Sequence, residues 1–179
     1  MNRILTNTIL SILLISAFAC EKIRQLPPEP MIEFRNFIIK DTIDELGNAI
    51  KKGELIFYFE DGDGDLGAGQ AGAVSDTIEA NVFLSVLQKS SGSFITPDSA
   101  NWFLSDQKFR IPELERVGQN QTLMGTVELT IFYRFVNLHA NDTIMYDLYI
   151  EDQAGNRSNT ISTCEIWFDM EGPCIPEED

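Results

Sequence analysis

Apolar residues recur at every second position through much of the chain. In 126–135 (TVELTIFYRF), Val127, Leu129, Ile131, Tyr133 and Phe135 face one way, and Thr126, Glu128, Thr130 and Arg134 the other. In 142–152 (DTIMYDLYIED), Ile144, Tyr146, Leu148 and Ile150 alternate with Thr143, Asp147 and Glu151. A period of two puts alternate side chains on opposite faces of a strand, so both segments read as antiparallel strands buried on one face and wet on the other. Further strands are predicted over 31–39, 54–60, 81–88 and 160–168, with a weaker one over 107–111. Turn signals separate them: Gly47-Asn48, 62–72, 90–93, 118–120 and Ala154-Gly155-Asn156. About seven short strands at this spacing predict an all-β fold, an antiparallel β-sandwich. The stretch 67–121 is longer than a minimal sandwich needs. It predicts an elaborated central insertion, with a short helix over 99–104, rather than a second domain.

The start of the chain has a different pattern. Arg3 precedes an apolar run, ILSILLISAF over 9–18, followed by Ala19-Cys20. A positive head, a short apolar core and small residues before a cut site are the parts of a secretory signal. The run is shorter than the roughly 20 apolar residues a spanning helix needs. Cleavage after Ala19 removes 1–19. Ala17-Phe18-Ala19 fits ordinary secretion, and 16–20 also resembles a lipobox, after which the Cys20 sulfur carries diacylglycerol. It departs from the lipobox pattern in lacking Leu three residues before the cysteine and in having Phe18 two before.

Cysteine count favours the lipid. Of Cys20, Cys164 and Cys174, acylation of the first leaves an even pair for a disulfide in an oxidising compartment. Two free thiols are the alternative. Residues 20–30 form a tether in which Pro27, Pro28 and Pro30 favour an extended polyproline conformation. The expected domain spans 31–170, followed by an acidic tail over 171–179.

Charge narrows the partners. The chain has 28 acidic against 13 basic residues, a net charge of −15, and loss of Arg3 makes it more acidic still. Such a surface repels phosphate backbones, so nucleic acid is not an expected partner. It suits divalent cations, though an acidic surface also serves solubility alone.

The sharpest motif is Glu60-Asp61-Gly62-Asp63-Gly64-Asp65-Leu66-Gly67, directly after an apolar strand. Carboxylates at alternate positions, separated by glycines, can curl around one hard cation, and their oxygens are the ligands calcium takes. An EF-hand needs Gly at the sixth loop position and Glu at the twelfth; counted from Asp61 those are Leu66 and Gly72, so the loop is not one. Asp76, Asp152 and Asn156 are candidates for the remaining ligands. A solvated Asp-Gly turn is the alternative. Zinc is not expected, with His139 the single histidine and no CxxC pair. No nucleophile motif surrounds His139, which reads as a hairpin-turn residue, and no catalytic constellation stands out. Trp102 and Trp167 fit core packing better than sugar stacking.

The segment Asp152-Gln153-Ala154-Gly155-Asn156 resembles the D-x-A-G-N turn of bacterial immunoglobulin-like domains. The order of Cys20, DGDGDLG, Ile111-Pro112-Glu113-Leu114, the long strand from Gly125 and this turn resembles a group of uncharacterised Bacteroidetes-type envelope lipoproteins. The resemblance covers most of 20–168. It implies an immunoglobulin-like sandwich anchored to the membrane through lipid, in the cell envelope as an outer-membrane lipoprotein, but no settled activity. In exported proteins of that type, Asp-(Ser/Thr)-aliphatic is an O-glycosylation pattern. It marks Thr42, Thr77 and Thr143 in three Asp-Thr-Ile repeats, and Ser99 in Asp98-Ser99-Ala100. Turn chemistry explains the same tripeptides. The expected function is a non-enzymatic structural or protein-interaction module, calcium-stabilised, whose partner is an envelope protein. The alternative is a carbohydrate-binding or adhesive surface module whose partner is a glycan.

Overall fold

The computed structural model describes residues 26–67, 80–97, 105–114, 122–134 and 143–176. The signal segment, Cys20, Asp76, Thr77, Ser99, Trp102, His139 and the helix expected over 99–104 lie outside them. The described residues contain no helix, and two antiparallel sheets pack face to face.

The first sheet is built on a long hairpin, β1 (Met31–Ile43) and β2 (Ala49–Asp61). Its turn is tied by Asp44, whose carboxylate accepts the Leu46 and Asn48 amides. Both strands outrun the apolar alternation. The polar ends are held by cross-strand ion pairs, Lys51–Asp41 at 2.8 Å and Lys40–Glu54 at 2.6 Å, a form of side-chain pairing that also stabilises sheets. On its other side β2 pairs with β6 (Leu123–Arg134) from Asp61↔Leu123 to Ile50↔Arg134. In the second sheet, β3 (Val82–Ser90) pairs with β7 (Thr143–Ile150). The short strands β4 (Ser93–Ile95) and β5 (Gln107–Phe109) lie on the other side of β3.

The strand expected over 160–168 is split into β8 (Ile161–Ser162) and β9 (Ile166–Trp167), both on β7. Thr163 continues the pairing by exchanging hydrogen bonds with the backbone of Tyr146. Cys164 and Glu165 then stand opposite Met145 alone, which interrupts the ladder as a bulge does. The sandwich also reaches past the boundary expected at Met170, because β10 (Pro173–Cys174) pairs with β1 at Ile38 and Phe37.

The core follows the period-two reading. Phe37, Leu55, Phe57 and Ile131 of the first sheet face Val82, Leu84, Ile144, Tyr146, Leu148 and Ile150 of the second, all buried. Tyr133 and Tyr146 meet across the sheets with their hydroxyls 2.9 Å apart. Burial pushes both phenols up, so the pair stays neutral and satisfies itself.

Candidate metal centre

One pole of the sandwich collects the motifs that are far apart in sequence. Asp61 ends β2 opposite the start of β6, and β1 begins beside it, Met31 opposite Glu60. The end of β7 meets the start of β3 at Ile150↔Val82. Leu66 is the anchor of the acidic loop: it is fully buried and belongs to the core cluster. With Asp61 and Leu66 both fixed, residues 62–65 must arch over the end of the core. Two glycines fit that arch to its neighbours. A Cβ on Gly67, which has φ +112°, would lie 2.6 Å from the Pro112 carbonyl; one on Gly62 would lie 2.2 Å from the Pro27 carbonyl. Both distances are below any real Cβ contact, so only glycine lets these backbones approach.

The Ile111-Pro112 segment is itself held by a buried asparagine. Asn81 donates through Nδ2 to the Ile111 carbonyl at 3.0 Å, and its Oδ1 accepts the Ile111 amide at 2.7 Å. Asn159 does the same for Ile32 at the start of β1, at 2.9 and 2.8 Å. Neither asparagine stands out in the sequence, because each makes its two bonds to a residue distant along the chain.

The D-x-A-G-N turn closes over the acidic loop. The Ala154 amide donates to Asp65 Oδ2 at 3.1 Å and the Gln153 amide to the Asp65 carbonyl at 3.4 Å. Gln153 Nε2 donates to the Gly67 carbonyl at 2.8 Å. The turn's own carboxylate is engaged locally: Asp152 Oδ1 accepts the Asn156 amide at 2.7 Å, and Oδ2 accepts Asn156 Nδ2 at 2.8 Å. The two motifs singled out in the sequence therefore meet, with distinct parts. Asp61, Asp63 and Asp65 form a group with one carboxylate oxygen from each within 4.8 Å of the others, a group that could hold a metal ion. Asp152 and Asn156 stand outside that group as each other's partners.

Hydrogen bonding singles out the same three residues. Among the described residues, four buried side-chain oxygens accept no hydrogen bond, and three of them are Oδ1 of Asp61, Asp63 and Asp65. The fourth is Asn36 Oδ1 on β1. Asp61 is fully buried, and its other oxygen accepts the Leu66 amide at 2.7 Å. None of the ion pairs among the described residues involves this group. Burial, reinforced by Asp63 and Asp65, pushes the Asp61 carboxyl up to about 6 against the opposing Leu66 amide. Burial also raises Asp65, with help from Asp152 and Asp63. Buried acceptors left without donors are costly, and clustered carboxylates repel. A cation removes both penalties. Two ligands across a calcium ion, each at 2.3–2.6 Å, lie up to about 5 Å apart, which the spread of this group matches.

The other expected residues are dispersed. Cys164 and Cys174 are joined by a disulfide, with Cα atoms 6.2 Å apart, linking the β8–β9 interruption of one sheet to β10 of the other. Thr42 lies near the end of β1 and Thr143 starts β7, both half-buried. Trp167 is 47% exposed, not in the core as the sequence suggests. It lines a recess of about 750 Å³ with Phe34, Phe94, Met145 and the disulfide. The stacked pair Phe83 and Tyr149, 4.9 Å between ring centres, offers no comparable platform. Arg157 covers Tyr149 at 3.5 Å, and Lys108 sits 5.7 Å from Phe83.

The class that fold and site define is an antiparallel β-sandwich with a cluster of three aspartates at one pole. No family model, curated protein or solved structure matches the chain.

Proposed function

We propose that this chain is an exported, lipid-anchored envelope module with no enzymatic activity, whose sandwich is stabilised by calcium at Asp61, Asp63 and Asp65. The observation that carries the calcium reading is the set of three buried carboxylate oxygens without donors. Magnesium keeps several waters and takes one or two carboxylates, whereas calcium accepts a flexible shell of six to eight oxygens, so a cluster of three carboxylates favours calcium. A melt of the protein with and without calcium tests it. At a hundredfold excess over Kd the gain is about 2.7 kcal/mol, a rise of about 5–10 °C for a domain of this size. An unchanged melting temperature would sink the reading.

Anchoring rests on the signal segment and the cysteine parity. Labelled palmitate incorporation, lost in Cys20→Ser together with membrane fractionation, is the expected result; membrane association unchanged in Cys20→Ser removes the anchor. The immunoglobulin-like reading is supported by the strand order, in which β2 pairs with β6 and β3 with β7 in opposite sheets, as the corresponding strands do in that sandwich. A protein-interaction role is supported by Ile43 and Leu46, exposed apolar residues at the β1–β2 turn, the pole opposite the tether. Glycosylation at Thr42, Thr77, Ser99 or Thr143 is decided by the intact mass of protein from its native host: lipid plus polypeptide alone rules it out.

The second reading, a carbohydrate-binding module, is favoured by one observation, the half-exposed Trp167 beside Phe94 in the recess. Sugar stacking there would quench or shift indole fluorescence, and a flat response across a panel of envelope glycans would remove it.

A further inference from the structure

The acidic loop touches the segment by which the chain enters the domain. Leu26 and Pro27 lie flush on Gly62, between two of the three clustered aspartates, with the space of a Gly62 Cβ taken by the Leu26 and Pro27 carbonyl oxygens at 2.5 and 2.2 Å. Behind Gly62, its own carbonyl accepts the Thr122 hydroxyl at 3.4 Å. Beyond Pro27 the chain runs through exposed Pro28 and Glu29 to buried Pro30 and into β1. The Leu26 and Pro27 carbonyls therefore meet the loop at Gly62, whose chain neighbours are Asp61 and Asp63.

We propose that calcium at the three aspartates pins the entry segment 26–30 onto the sandwich, so that occupancy of the pocket sets the angle at which the domain leaves its tether. This rests on the calcium reading above. With the ion bound, Asp61 and Asp63 converge, and the Gly62 peptide is presented as a flat seat. Without it, mutual repulsion of the carboxylates moves the arch, and the seat with it. Prolines at 27, 28 and 30 make the segment stiff enough for one seat to fix its direction. An unpinned segment swivels about Pro30.

Backbone relaxation of the full-length protein tests this through the Leu26 and Glu29 amides. With calcium, order parameters near 0.85, equal to those of β1, are expected; in chelator they should fall below about 0.6 while β1 stays rigid. Gly62→Ala puts a methyl group into the seat. It should release the segment in both conditions. Order parameters that are the same with and without calcium, alongside an intact thermal response, overturn the pinning alone. A missing thermal response overturns the calcium reading and the pinning together. The wild-type comparison stands even if the variant fails to fold.

Discussion

Asp63 and Asp65 can be exchanged for asparagine with little change in shape, which separates their charge from their packing. In Asp63→Asn/Asp65→Asn the calcium-induced rise in melting temperature should disappear. The metal-free protein should be no less stable than wild type, because two repelling carboxylates have gone. A large loss of metal-free stability would mean that these side chains hold the loop directly. The Asp61 carboxyl gives the pH dependence. Its value is about 6 in the fold against the ordinary 3.8. Between those values the folded chain keeps a proton that the unfolded chain has lost, so this group's contribution falls as pH rises from about 4 to 6 and stays low above. Melts of metal-free wild type and Asp61→Asn isolate it: the variant should gain on wild type across that window. Calcium favours the ionised form, so its stabilising effect should grow over the same range. Asn81 is a structural counterpart. Asn81→Ala strips a donor and an acceptor from buried Ile111, and denaturant unfolding should show a loss of about 2–4 kcal/mol.

Elements were legible where burial imposes a period and obscure where it does not. The alternation in β6 and β7 places Leu129, Ile131 and Tyr133 inward with Ile144, Tyr146, Leu148 and Ile150, and all of these are buried. The ends of β1 and β2 were missed because Lys40, Asp41, Lys51 and Lys52 carry no apolar signal, and their ion pairs appear only once the hairpin is formed. β4 and β10 are too short to show a period. At the acidic pole, the grouping of Asp61, Asp63 and Asp65 could be read from spacing alone. The separate part of Asp152 could not, because its tie to Asn156 depends on the turn geometry. Gln153 and Ala154, the residues that bind the acidic loop, look like ordinary turn residues in the sequence. Trp167 was misread because β9 is two residues long and turns its indole outward at the sheet edge.

At the scale of the whole molecule, two fastenings hold the sheets together besides the core. The disulfide is one, bridging residues ten apart in sequence. Its removal in Cys174→Ser should cost about 2–3 kcal/mol in the chain-entropy picture. The backbone amide at position 174 of freed β10 should then exchange faster than those of the rest of the first sheet, measured by hydrogen exchange. Loss of the bridge without any change in stability would mean that β10 docks through Phe37 and Ile38 alone. The acidic pole is the other fastening, where the carboxamide of Asn159, in the loop between β7 and β8, clips onto Ile32 of the first sheet.

The hairpin of β1 and β2 is paired without a break in chain from its open end at Met31↔Glu60 to the turn at Ile43↔Ala49, with one bulge at Arg35. A domain held by its N-terminal end takes any pull through Pro30 straight into this ladder. Force along β1 loads every rung at once, as in a lap joint, whereas force across it would part the rungs one by one from Met31. The direction in which a pull leaves Pro30 therefore decides whether the hairpin resists it or unzips under it.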